Sequence, residues 1–108
     1  MKTTTFADLY LDQLQDTHSS ERQIIKALPK MAAAAEHPGL KAAFAKHLAE
    51  TKEQLERLDR IFADLDKSSG RKVCAATLGL VTESAELIEE LEKGEVRDAG
   101  LICAAQKV

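Results

Sequence analysis

The longest uninterrupted pattern in the chain is the apolar seam Leu40, Phe44, Leu48, Thr51, Leu55, Leu58, Phe62 and Leu65. Steps of three and four residues bring such positions to one face only in a helix. A helix this long cannot bury its apolar face alone, so the chain is restricted to lengthwise packing of helices. Pro38 suits its first turn, and the pattern predicts a helix over about 39–65. Upstream, Phe6, Tyr10, Leu14, Thr17, Ile24, Leu28 and Met31 predict another over about 4–35, with Pro29 removing one backbone donor and bending the axis. Two cysteines, Cys74 and Cys103, stand far apart in no CxxC pattern and read as small buried hydrophobes with free thiols.

Downstream, Asp66-Lys67-Ser68-Ser69-Gly70 reads as a loop, short enough to return a third helix, about 72–93, antiparallel beside the second. Its expected apolar face is Val73, Ala76, Leu80, Val81, Ser84, Leu87, Ile88 and Leu91, and Gly94 suits its C-terminus. Val96, Ala99, Ile102, Cys103 and Gln106 suggest a short fourth helix over 95–108. The 108 residues make one all-α domain, 1–108, an up-down antiparallel bundle of three long helices and one short one. The short member should leave the seams of the others partly uncovered. A partner chain, as in a homodimer or higher homo-oligomer, or further residues would then complete the core.

Charge narrows the function classes. The formal net charge is −3 with signs interspersed, and no Lys/Arg run is interleaved with aromatics, which argues against nucleic acid as a partner. Apolar runs are only a few residues long and the first 20 residues lack a basic then apolar leader, so no membrane partner and a cytoplasmic location are expected.

Glu21 is the charge most out of place. Seven residues from both Leu14 and Leu28, it falls within about 20° of the middle of the first helix's apolar face at ~100° per residue. A carboxylate there calls for a metal, a basic side chain or a proton, because an unpaired ion in a packed seam costs several kcal/mol. On the second helix His47 lies inside the seam and Glu50, one turn on, at its edge; on the third, Glu83 sits at the rim of the apolar face. Glu86, Glu89 and Glu90 read as a solvated flank. Glu21, His47, Glu50 and Glu83 thus offer donors from three helices, the manner in which carboxylate-bridged di-metal centres are built in bundles. Carboxylates with one imidazole and no thiolate favour iron or manganese over zinc. His18, one turn before Glu21 but further from the seam centre, reads as a supporting group behind the ligands.

Blocks spread over nearly the whole chain resemble the YciE/YciF family of bacterial ferritin-like, rubrerythrin-related proteins. They include Leu9-Tyr10-Leu11-Asp12-Gln13-Leu14, Glu21-Arg22-Gln23, Lys26-Ala27-Leu28-Pro29-Lys30-Met31, His47-Leu48 with Glu50-Thr51, Gln54-Leu55-Glu56-Arg57-Leu58 and Gly94-Glu95-Val96-Arg97-Asp98-Ala99. The resemblance implies a ferritin-like bundle, an association with stress responses and a dinuclear metal site. It assigns Glu21 to the first helix, His47 and Glu50 to the second and Glu83 to the third. In the relatives the segment matching Gln106-Lys107-Val108 is followed by Glu-His-Tyr-Glu, which supplies the fourth helix's ligands, whereas this sequence stops at Val108. The readings open at that point are a fragment of a longer protein, ligands from a partner chain, or a vestigial site. The function expected is a stress-linked protein holding an iron or manganese pair, with oxygen or peroxide as its small substrate. A metal-free helical dimerisation or scaffold module is the rival.

Overall fold

A computed structural model describes residues 5–108, and the sequence accounts for where each helix starts. Thr5 accepts a hydrogen bond from the Asp8 backbone N–H at 3.0 Å and so caps α1 (Phe6–Ala34), which runs through Pro29 without ending. The expected start near residue 4 lies outside the described residues. The His37 ring accepts the Gly39 N–H at 2.9 Å through Nδ1 and caps α2 (Pro38–Leu65), with Pro38 in the first turn. At its far end Asp66 takes the left-handed conformation, φ 52°. Then come α3 (Ala75–Glu90) and α4 (Glu95–Lys107), the latter entered through Gly94 at φ 152°, a conformation glycine adopts without a side-chain clash.

The helices alternate in direction, as an up-down antiparallel bundle requires. His18 of α1 meets Asp59 and Phe62 of α2, while Leu28 and Met31 share a core with Phe44 and Leu48. Ser20 meets Thr77 and Ala27 faces Ser84, so α3 runs with α1 and against α2. No helix among the described residues is long and apolar enough to cross a membrane.

The third helix departs from expectation in length and in neighbour. It occupies Ala75–Glu90 rather than about 72–93, and its broad interfaces are with α1 and α4 rather than with α2. The cause is a polar stripe on α1, at Asp12, Gln15, Asp16, Ser19, Ser20 and Gln23, which grips the link as extended chain. Gln15 donates to the Ser68 carbonyl at 3.1 Å, and Lys72 reaches Asp12 at 2.9 Å and Asp16 at 3.8 Å. The Cys74 N–H donates to Ser19 Oγ at 2.9 Å, and Gln23 Nε2 donates to the Cys74 carbonyl at 3.1 Å. The Cys74 N–H is thus held by α1, while its carbonyl also accepts the Leu78 N–H at 3.0 Å, the first backbone bond of α3, so regular helix begins only after Cys74. At the other end Arg97 donates to the carbonyls of Ile88 and Leu91, both at 2.8 Å, and closes α3 at Glu90.

The α1–α3 contact is consequently hydroxyl-lined. Ser20 and Thr77 lie 2.7 Å apart, and Thr77 and Ser84 are the buried residues of α3, whereas Val73, placed by the pattern on the apolar face, is exposed. Apolar packing gathers instead where the C-terminal part of α1 meets the start of α2 and α4: Ile24, Leu28, Met31, Ala34, Ala35, Phe44 and Leu101. Asp98 locks that end by accepting the N–H groups of Glu36 at 2.8 Å and His37 at 2.9 Å, which hold its carboxyl below the usual carboxylate range. At the opposite end the seam is bare: Phe6 is 91% exposed and Tyr10 54%, beside Leu9 and Leu65. The cysteines are free as expected, but only Cys74 is buried; Cys103 is exposed.

Ser19→Ala tests the grip of α1 on the link. It strands the buried Cys74 N–H, so chemical denaturation should show a loss of about 1–3 kcal/mol. Thr82→Ala, which removes an exposed hydroxyl bonded only to its own helix, should stay within about 0.5 kcal/mol.

Candidate metal centre

Glu21 stands on the face of α1 that turns toward α2. It is partly buried, and its Oε2 atom is sealed from solvent with no hydrogen-bond partner among the described residues. Burial pushes its carboxyl above the ordinary value of 4.5, and the nearby His47 pulls against that rise. A carboxylate oxygen in this position has exchanged hydration for nothing, and a proton or a cation is what satisfies it. His47 is half-buried on α2. Its carbonyl accepts the Thr51 hydroxyl at 2.7 Å, which lets Thr51 sit buried one turn on.

Glu21 also lines a groove of about 290 Å³ between the two helices, together with Thr17 of α1 and Gln54, Arg57, Leu58 and Ile61 of α2. The groove mixes charge with apolar walls, so an ion bound there would feel weaker screening than at the open surface.

The other two expected ligands stand elsewhere. Glu50 has a side chain 56% exposed and lies 4.0 Å from Lys46, one turn earlier on α2. Glu83 is 63% exposed and lies 3.7 Å from Lys107 of α4. Each sits at the rim of its helix, where a lysine reaches it more readily than the interior does. Among the described residues no three His, Cys, Asp or Glu side chains converge on one point suited to a metal ion. The structure therefore brings Glu21 and His47 into one electrostatic neighbourhood and leaves Glu50 and Glu83 outside it. One unpartnered carboxylate oxygen with one imidazole in its neighbourhood is a partial donor set, smaller than a metal centre draws from its protein.

His18 is more structural than its sequence position suggests. It is 6% exposed, packs edge-on against Phe62 at 5.6 Å and 83°, and bonds through Nε2 to Asp59 Oδ1 at 2.8 Å. With Nε2 facing the carboxylate, Nδ1 is buried without a hydrogen-bond partner among the described residues. Asp59 is a partner the sequence reading misses, and its apolar neighbours Leu58 and Phe62 give little sign of it. The polar stripe of α1 had a clearer signal, since its members recur at helical spacing.

Comparison with known proteins agrees with this architecture. Residues 5–108 match the model of a domain of unknown function, DUF892. The chain belongs to that family. It is 44% identical over 109 residues to protein YciF of Escherichia coli (strain K12), an alignment spanning 100% of this chain and 66% of the relative. The crystal structure of the E. coli stress protein YciF superposes with a TM-score of 0.91 at 43% identity, covering 97% of this chain and 67% of that one. YcfI from Rhodopseudomonas palustris, described as a putative structural protein, superposes at 0.90 with 39% identity, covering 95% and 66%. This chain thus spans about two thirds of the length of those relatives.

The raised carboxyl of Glu21 has a signed consequence for stability. A carboxyl whose folded-state pKa exceeds its unfolded value favours folding at low pH, and that contribution is lost as pH rises from about 4.5 through the folded value. Without added metal, Glu21→Gln should be more stable than the parent at pH 7, and the difference should shrink toward zero below pH ~4. Urea denaturation across pH 3.5–8 reads this directly; a variant less stable than the parent at neutral pH would mean that Glu21 is satisfied.

Proposed function

We propose that this chain is a ferritin-like, stress-associated protein of the cytoplasm that holds a divalent metal pair, iron or manganese, between its helices. The observation that carries the reading is the sealed, unpartnered Oε2 of Glu21 in a groove on the bundle's inner face. His47 is the imidazole whose charge acts on it, and Glu50 and Glu83 would join only by turning away from Lys46 and Lys107. The stress assignment rests on similarity to YciF, which carries that description. Bound iron or manganese would supply one-electron redox chemistry toward oxygen or peroxide; the protein's part is to exclude water from one carboxylate oxygen and hold it against the ion.

A second reading is favoured by the bare seam of Phe6, Leu9, Tyr10 and Leu65: a metal-free helical module that associates with a second copy of itself. The description of the Rhodopseudomonas relative as a putative structural protein points the same way.

Thermal denaturation separates the two. Under the metal reading, Mn²⁺ at about 100 times its dissociation constant stabilises the folded chain by about 2.7 kcal/mol, seen as a rise in Tm that Glu21→Ala abolishes. A parent protein whose Tm ignores Mn²⁺ and Fe²⁺, and which carries no metal on elemental analysis, would leave the scaffold reading standing.

A further inference from the structure

His37 is exposed at the corner between α1 and α2, yet its ring has a fixed place there. Its Nδ1 accepts the Gly39 N–H at 2.9 Å. A backbone amide can only donate, so Nδ1 carries the lone pair and the proton of the neutral ring sits on Nε2. The ring lies close over Gly39, where a Cβ would come within 3.0 Å of its Cε1 and Nδ1 atoms. Across the corner, the two carboxylate oxygens of Asp98 on α4 hold the backbone N–H groups of Glu36 and His37 at 2.8 and 2.9 Å. One residue is thus tied to α2 by its side chain and to α4 by its backbone.

Only the second of those ties survives a proton on the ring. Protonation makes both ring nitrogens donors, and Nδ1–H would then oppose the Gly39 N–H across 2.9 Å. The positive ring would also face the N-terminus of α2, whose free N–H groups repel a cation. Of the charged groups around the corner, Lys41 acts on Asp98 through space but turns its ammonium to the Ala32 carbonyl at 3.4 Å. Arg97 is committed to the Ala34, Ile88 and Leu91 carbonyls, and Glu36 directs its carboxylate toward Gly94. Asp98 is the carboxylate on which the charge of His37 acts, and each of its oxygens can accept a further bond.

We propose that His37 is a proton-operated cap with two positions. Neutral, it closes the start of α2 through Gly39; protonated, it leaves Gly39 and pairs with the Asp98 carboxylate, joining the corner to α4. Histidine changes charge between about pH 5 and 8, so acidification across that range hands the side chain from one helix to another. His37 does not line the Glu21 groove, and the exchange does not rest on the metal reading.

NMR titration of the whole chain tests this, with ring ¹⁵N shifts following protonation and nuclear Overhauser contacts reporting the neighbour of the ring. The parent should show ring contacts to Gly39 at about pH 8 and to Asp98 at about pH 5, exchanged with the midpoint of ring protonation. Asp98→Asn weakens the protonated position and should lower that midpoint by roughly 0.2–0.7 pH units, the size of an exposed ion pair. Gly39→Ala, at an exposed position, crowds the neutral ring and should raise it. Glu36→Gln should lower it less than Asp98→Asn does. Opposite shifts from the two sides of the corner are what a ring held by packing alone would not give. A ring that keeps its Gly39 contact throughout the titration would overturn the proposal. So would a midpoint that Asp98→Asn or Gly39→Ala leaves in place, or one that Glu36→Gln lowers further than Asp98→Asn.

Discussion

The arrangement of this bundle depends on one contact, the grip of the α1 polar stripe on the backbone of the link that precedes α3. A link with free backbone groups could continue α2 into a hairpin and set α3 against it. Here the Cys74 N–H and carbonyl are claimed by Ser19 and Gln23, and Lys72 is held by Asp12. The link therefore runs along α1, and α3 makes its broad contacts with α1 and α4. Hydrogen bonds of this kind add little net energy each, but leaving any of their buried partners unmade is costly, so they specify position more than they add stability. Helix α1 becomes the member with broad contacts to both α2 and α3.

That placement creates the groove. Because α3 does not close over α2, the inner faces of α1 and α2 stay open along Thr17, Glu21, Gln54 and Ile61, and the apolar core is concentrated at the end where α4 docks. Burial and exposure meet at Glu21: one oxygen is sealed by helix packing while the side chain still faces open space. A fully exposed carboxylate would be hydrated and would select no ion. One fully enclosed would simply hold its proton. In the half-sealed state the charge of the group is set by burial on one side and by the nearby His47 on the other.

Much of the fold was legible in the sequence because long amphipathic helices announce themselves. The seam from Leu40 to Leu65 and the repeat from Phe6 to Met31 gave α1 and α2 within a residue or so, and Glu21 was conspicuous as a charge in an apolar row. The third helix was harder for a physical reason. Val73 and Leu91 extend its apolar period past both ends, yet helix length was decided by backbone groups bonding to distant side chains, which periodicity does not contain. The same limit applied to the candidate ligands. Angular position on a helix distinguishes the face of Glu21 from its back, but Glu50 and Glu83 sat on edges, where a few degrees of rotation and a neighbouring lysine determine the outcome. Asp59 became meaningful only once the facing residues of α1 were known.

The account stands or falls on the state of the Glu21 carboxyl, which site-resolved ¹³C NMR titration of its side chain measures most directly. It predicts an inflection above 4.5 in metal-free protein, moving to lower pH on saturation with a diamagnetic divalent ion such as Zn²⁺. An inflection at or below 4.5 that no divalent ion shifts would contradict it: Glu21 would then be an ordinary solvated carboxylate, and the groove would have no demand for a cation.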